Sequence, residues 1–178
     1  MLVGGAMAYT LLAARGGKIG ASRCEEDILA ACRDMLAEAK SAGTTVLLPT
    51  DHVVAAEFSK DAEASIVSGD IPDGLMGLDI GPETCQAFAD VLAAAKTIVW
   101  NGPMGVFEWE AFRTGPAAVG EAVARASEGA ATGIVGGGDT AAAAELLGVA
   151  ERVSHVSTGG GASLAMLESM GGFATTSG

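Results

Sequence analysis

Aromatic side chains make up only 4% of the 178 residues, which argues against a core built on stacked rings. Basic residues are also scarce, at 10 against 22 acidic ones, for a net charge of −12. A nucleic-acid binder needs a basic face, so that class is rejected. The three cysteines, Cys24, Cys32 and Cys85, show no CxxC spacing. Neither a disulfide framework nor a zinc site is expected, and such usage suits a reducing cytoplasm. No apolar run approaches the roughly 20 residues of a membrane span. Met1-Leu2-Val3 lacks the basic start and apolar core of a signal peptide. It reads as a strand, so the chain is expected to begin inside a fold.

What the chain has in quantity is apolar and small residues: 49% are hydrophobic, 18% are charged and 26 are glycine. That composition predicts a globular domain with a real core, built from helices packed closely on a sheet. The glycines concentrate at two junctions between a β-rich run and a helix. The first is Gly133-Ile134-Val135-Gly136-Gly137-Gly138-Asp139-Thr140, and the second is His155-Val156-Ser157-Thr158-Gly159-Gly160-Gly161-Ala162-Ser163. Without a Cβ, the backbone there admits close approach by a ligand. The helix that follows aims free N–H groups and a partial positive charge at the same point. Backbone amides holding phosphate groups are the chemistry this pattern suits. In so acidic a chain, phosphate must be held by amides, helix N-termini and a metal, or by basic residues supplied from elsewhere.

Short apolar runs recur at Leu2-Val3, 46–49, Thr97-Ile98-Val99-Trp100, Ile134-Val135 and 153–156. Between them lie helical patterns. Ser22 and Glu25 have capping-box spacing ahead of Ile28, Leu29, Cys32, Met35, Leu36 and Ala39, with Gly43 as the stop. Pro82 opens a second helix carrying Phe88, Val91, Leu92 and Ala95. Pro116 opens a third carrying Val119, Ala122, Val123 and Ala126. Residues 58–82 read as an irregular connection. The alternation predicts an α/β fold, an open and mainly parallel Rossmann-like sheet with helices on both faces, in a single lobe. Ligands of such sheets bind beyond the C-terminal strand ends, where these glycine turns lie.

Each motif also has a plain structural explanation. Asp139 suits a carboxylate holding Mg²⁺ on a nucleotide phosphate, with Thr140 adding a hydroxyl, and it equally suits a helix N-cap. Neither glycine turn matches GxGxxG or GxxxxGK[ST], so a Rossmann dinucleotide site or P-loop is not supported. Glu108, in the loop 101–108, suits ribose hydroxyls or simple solvation. Gly4-Gly5-Ala6-Met7 suits an adenine floor or a turn. Asp51 and His52 are sequence neighbours with no nucleophile marked, which disfavours a catalytic pair. His155, Trp100 and Trp109 read as packing residues, and Glu25-Glu26-Asp27 as a solvated first helical turn.

Taken together, Val99-Trp100-Asn101-Gly102-Pro103-Met104-Gly105-Val106-Phe107-Glu108, Gly136-Gly137-Gly138-Asp139-Thr140 and 154–164 resemble phosphoglycerate kinase in wording, order and spacing. Gly4-Gly5-Ala6-Met7-Ala8-Tyr9-Thr10, Leu47-Leu48-Pro49-Thr50-Asp51 and 77–83 extend the likeness, which runs from about Leu2 to Glu168. The resemblance implies the C-terminal, nucleotide-binding lobe over residues 1–168, without its first strand, and an irregular tail over 169–178. It implies phosphoryl transfer between 1,3-bisphosphoglycerate and ADP, giving 3-phosphoglycerate and ATP, in the glycolysis of the cytoplasm and by a monomeric parent enzyme.

The same resemblance assigns roles to individual residues. Asp139 would serve Mg²⁺ on the ADP or ATP and Thr140 the phosphates, with Gly137 and Gly138 as the backbone of the nucleotide loop. Glu108 would take the ribose. Gly4, Gly5, Gly77, Leu78, Asn101, Pro103 and Val106 would line the adenine region. Gly159, Gly160 and Gly161 would stabilise the phosphoryl group in flight. The sequence departs from the family in lacking the basic lobe for phosphoglycerate with its catalytic arginine, in lacking a glycine–alanine–lysine–valine strand ahead of Met1, and in its tail. Little turnover is therefore expected from this chain alone. The alternative is a non-catalytic nucleotide-binding module that works with a separate partner lobe.

Overall fold

A computed structural model of the chain describes residues 1–159. Gly160, Gly161 and the expected 168/169 boundary with its tail lie outside the described residues. The chain forms two compact units: Met1–Asp90 with Pro103–Val119, and Val91–Gly102 with the residues from Gly120 onward. No helix among the described residues is long and apolar enough to cross a membrane.

The first unit is built on an antiparallel sheet. Strands β1 (Asp51–Ala55), β2 (Ser65–Ser68) and β3 (Met76–Ile80) lie in the order β2-β1-β3. Two of these strands fall in the stretch expected to be an irregular connection. The sequence also places a strand at 46–49, where the structure has a single parallel bridge, Leu2 to Leu47. Gly4-Gly5 turns the chain into a helix directly after Val3, and Pro49 has no N–H to extend a ladder. The strand instead starts at Asp51, where Asp51 and His52 are both buried rather than solvated.

Helix α1 (Gly5–Ala14) covers one face of this sheet, where Tyr9 packs with Val54 and Ile71. On the other face Val53, Ala55 and Leu78 pack with Phe112, joined by Val106 and Trp109 from the segment 103–112. Helix α2 (Leu29–Ser41) rests on α1 through Cys32, Leu11, Ala14 and Leu48. The expected capping box at its start does not form. The Ser22 hydroxyl instead accepts from the Gly77 amide at 2.8 Å, and a short 3₁₀ turn, Glu26–Ile28, leads into the helix.

The start of helix α3 (Pro82–Ala93) is fixed by Asp51. Its carboxylate accepts from the amides of Glu83 (2.9 Å) and Thr84 (2.8 Å) and from the Thr84 hydroxyl (2.6 Å). An acidic side chain across the first turn satisfies free N–H groups and matches the helix dipole. Asp51 is therefore committed to a cap, and His52 points to the other face of the strand, where its ring lies 5.6 Å from that of Tyr9. This accounts for the pair without catalysis.

The second unit carries the parallel sheet expected from the sequence. Strands β4 (Thr97–Asn101), β5 (Thr132–Gly136) and β6 (His155–Ser157) pair in the order β4-β5-β6, all parallel. Helix α5 (Gly138–Leu146) connects β5 to β6 and packs on both. Helix α4 (Thr114–Glu128) lies, from Gly120 on, against β4 and β5. The bare Gly120 makes room for the Trp100 ring and Val149, and Gly133 for Val123 and Ser127. Trp100 is thus a packing residue, as expected. His155 is exposed rather than buried, because among the described residues β6 pairs only with β5 and forms the sheet edge.

Candidate functional site

In the second unit the C-terminal ends of the three strands converge. Asn101 ends β4 beside Gly136, which ends β5, and Gly136 in turn pairs with Ser157 of β6. The Gly137 amide donates to the Ser157 carbonyl at 2.9 Å, closing the turn. Gly137 has φ +93, in the left-handed region where a side chain is strained, so this turn requires glycine. It delivers the chain into α5 with Gly138 and Asp139 as its first residues, both exposed. A Cβ added at Gly138 would meet no atom of the described residues within 4 Å, so among them the backbone here is open. Asp139 makes no side-chain cap of its own helix, being already inside the first turn.

Thr140 is buried, and its hydroxyl oxygen accepts from the Gly102 amide at 2.7 Å. The Trp100 indole N–H donates to the Gly102 carbonyl at 2.9 Å. Thr140 therefore ties the loop after β4 to the N-terminus of α5 and keeps its own proton to donate. The result is an open glycine turn, a helix N-terminus and one exposed carboxylate on one side of a parallel sheet. No cluster of three or more His, Cys, Asp or Glu suited to a metal occurs among the described residues. A lone carboxylate is nevertheless the donor set Mg²⁺ uses when phosphates and water fill the rest of its shell. Asp139 fits that arrangement and does not fit a dedicated protein cage.

The first unit brings together Gly4, Gly5, Gly77, Leu78, Pro103, Val106 and Glu108. Gly5 opens α1 at φ +62, and its amide donates to the Met104 carbonyl at 3.0 Å. The Val106 amide donates to the Leu78 carbonyl at 3.0 Å, which seats the segment 103–112 on β3. Here the glycines are closed over by the protein itself. Met104 sulfur occupies the space a Cβ would take at Gly4, the Pro103 carbonyl that at Gly5, and the Tyr9 ring that at Gly77. These residues let α1, β3 and the segment 103–112 approach one another. Glu108 stands exposed at its surface, and Val106 is half-buried.

Beneath this assembly lies Asp79, to which the sequence reading gave no role. It is 1% exposed and accepts from the amides of Ile80 (2.8 Å) and Gly115 (2.7 Å). Burial pushes its pKa up to about 7 against the pull of those two amides. Burial and, next, the Asp79 charge raise the Tyr9 phenol. Burial first, then the charges of Asp79 and Asp51, push the Cys85 thiol up to about 12, which leaves it inert. Burial lowers the His52 pKa against the opposing effects of Asp51 and the Gly69 backbone, and its Nδ1 has no hydrogen-bond partner. The signal that could have found Asp79 is a carboxylate inside the apolar run 76–80.

The sequence model of the phosphoglycerate kinase family matches residues 1–170. The phosphoglycerate kinase of Lactobacillus acidophilus is 53% identical over 168 residues, covering 94% of this chain and 40% of the relative. That of Clostridium botulinum is 53% identical over 169 residues, covering 94% and 42%. Among solved structures, the phosphoglycerate kinase of Coxiella burnetii superposes with a TM-score of 0.89 at 43% identity, over 94% of this chain and 43% of that one. The phosphoglycerate kinase of Pyrococcus horikoshii gives 0.77 at 28% identity, over 94% and 42%. The chain spans about two fifths of the length of these relatives. With its parallel sheet, flanking helices and a family model that matches residues 1–170, the chain belongs to the phosphoglycerate kinase family.

Proposed function

We propose that this chain is the Mg-ADP- and Mg-ATP-binding C-terminal lobe of a cytoplasmic phosphoglycerate kinase. Its reaction is phosphoryl transfer between 1,3-bisphosphoglycerate and ADP, giving 3-phosphoglycerate and ATP in glycolysis. The observation that carries the reading is the open backbone at Gly138, at the N-terminus of α5 and beside the exposed Asp139. Amides at a helix N-terminus hold phosphate oxygens without a basic side chain, which suits a chain of net charge −12. Asp139 would hold the Mg²⁺, which supplies neutralisation of phosphate charge when bound. Thr140 orients the loop at Gly102 and has a proton to offer a phosphate oxygen. Gly159, with Gly160 and Gly161, would add amides toward the phosphoryl group in flight. Glu108 would accept from ribose hydroxyls, and Gly4, Gly5, Gly77, Leu78, Asn101, Pro103 and Val106 would border the base. Phosphoryl transfer asks mainly for positioning and charge neutralisation, which such parts provide.

The acidic co-substrate needs cations. With 10 basic residues against 22 acidic ones, its binding is assigned to the part of the family chain that these 178 residues do not span. Little turnover is expected from this chain by itself. Calorimetric titration with ADP, with and without Mg²⁺, tests the reading. Saturable binding that Asp139→Ala weakens by about tenfold or more, as for a lost metal ligand, supports it. Absence of binding by a chain with a native circular-dichroism spectrum overturns it.

A further inference from the structure

The register of the antiparallel sheet contains one irregularity. Val53 pairs with Asp79 and Val54 with Gly77, so Leu78 is an extra residue on β3. A bulge of this kind re-aims side chains. Here Leu78 joins the cluster around Phe112, while Asp79 turns the same way, against Gly105 and Gly115. A Cβ on either glycine would collide with the Asp79 carboxyl group. The Gly115 amide donates to Oδ2 at 2.7 Å, and the Ile80 amide to Oδ1 at 2.8 Å. Between these two glycines lie Val106, bonded to the Leu78 carbonyl, and Glu108.

A buried carboxylate is costly, and a short apolar strand has no need of one for packing. Its cost is offset here by two amide bonds, one to its own strand and one to the far end of the segment 105–115. Burial and then the charge of this carboxylate hold the protons of Tyr9 on α1 and Cys85 on α3. Gly105 marks one end of the segment and Gly115 the other, so a single side chain spans both.

We propose that Asp79 is a positioning residue that fixes both ends of the segment 105–115 on β3, and so sets the placement of Val106 and Glu108 toward the nucleotide. The nucleotide part of this inference rests on the function proposed above; the anchoring part does not.

Amide hydrogen exchange and Mg-ADP titration of the 178-residue chain test it together. Asp79→Asn keeps the shape but presents an NH₂ to one of the two amides. Exchange at Val106 and Gly115 should rise about tenfold or more, and Mg-ADP affinity should fall by about tenfold, as for a lost charge-assisted bond. Cys32→Ala, a buried change in α2, serves as the control: it lowers the melting temperature without moving either readout. Unchanged exchange at Val106 and Gly115 in Asp79→Asn overturns the anchoring. Raised exchange with undiminished Mg-ADP affinity overturns the link to the nucleotide. If the unaltered chain binds no Mg-ADP, the functional reading fails, and exchange alone still decides the anchoring. Should Asp79→Asn not fold, Gly105→Ala pushes the carboxylate off its position while keeping the aspartate, and carries the same two readouts.

Discussion

The two units use the same residue types to opposite ends. In the first, glycines at 4, 5, 77, 105 and 115 are sealed by Met104, Pro103, Tyr9 and Asp79, and the carboxylates Asp51 and Asp79 are buried. In the second, among the described residues, Gly138 faces open space, Asp139 is exposed, and Arg152 bridges Glu121 and Glu128 at 2.6 Å each. Glycine serves close packing at those five positions of the first unit, as it does at Gly120 and Gly133 of the second, whereas at Gly138 it serves access. A glycine-rich motif therefore does not by itself mark a ligand, and what fills the space of the missing Cβ separates the two cases.

The largest expected contrast is in pH dependence, because buried titrating groups lie in the first unit. The folded pKa of Asp79 is about 7, against 3.8 for the free side chain. A raised pKa means that the folded state holds the proton more tightly. The associated stability is fully present below about pH 4 and is lost as pH rises toward 7. That difference corresponds to up to about 4 kcal/mol. Asparagine has no such proton, so urea midpoints of Asp79→Asn and the unaltered chain should converge, or cross, between pH 4 and pH 8. His52 acts with the opposite sign: its lowered pKa contributes stability above about 6.5 that is lost on acidification. It is common to both proteins and cancels in the difference. A constant difference across that range would remove Asp79 as a titrating group. In the second unit, bonds from Arg152 and then Arg125 already hold Glu121 at about 2, so it stays charged throughout.

The next effect is that of the buried cap. Asp51→Ala removes three hydrogen bonds from the start of α3 and leaves the buried Thr84 hydroxyl without its carboxylate partner. Loss of a cap together with an unsatisfied buried group predicts a destabilisation of about 3 kcal/mol in chemical denaturation. Asp51→Asn keeps an acceptor and should cost about half as much. Equal costs for the two would show that charge rather than hydrogen bonding carries the cap.

The parallel half was legible in the sequence because its signals are local. Continuous apolar runs such as 97–100 sit directly before glycine turns, and helix α5 follows the turn at Gly137. The family resemblance was legible for the same reason: its motifs lie at strand ends. The antiparallel half was not. Ser65-Ile66-Val67-Ser68 is short and largely exposed, and β3 carries a glycine and a buried aspartate, so neither has the composition of a core strand. Their stability comes from α1 on one face and Phe112 on the other, contacts distant in sequence. Ser22 shows the same limit at one residue: its spacing to Glu25 spells a cap, while the fold spends its hydroxyl on Gly77.

The smallest change in stability tests the comparison most directly, by placing the same methyl group at a sealed and at an open glycine. Gly77→Ala drives a Cβ into the Tyr9 ring, and overpacking of this kind costs about 2 kcal/mol. Gly138→Ala meets no atom of the described residues, and alanine is the better helix former, so stability should stay level or rise by up to about 1 kcal/mol. Binding should run the other way. At Gly138 the methyl stands over the amides proposed to receive phosphate, and Mg-ADP affinity should drop by about tenfold or more, at least about 1.4 kcal/mol. Thermal melts and titrations of the two variants give four numbers. If both variants lose stability alike, Gly138 is as enclosed as Gly77 and access to its backbone is lost as an argument. If Gly138→Ala melts like the unaltered chain and binds Mg-ADP as well, the open turn is free of phosphate, and the nucleotide must be sought elsewhere on the chain.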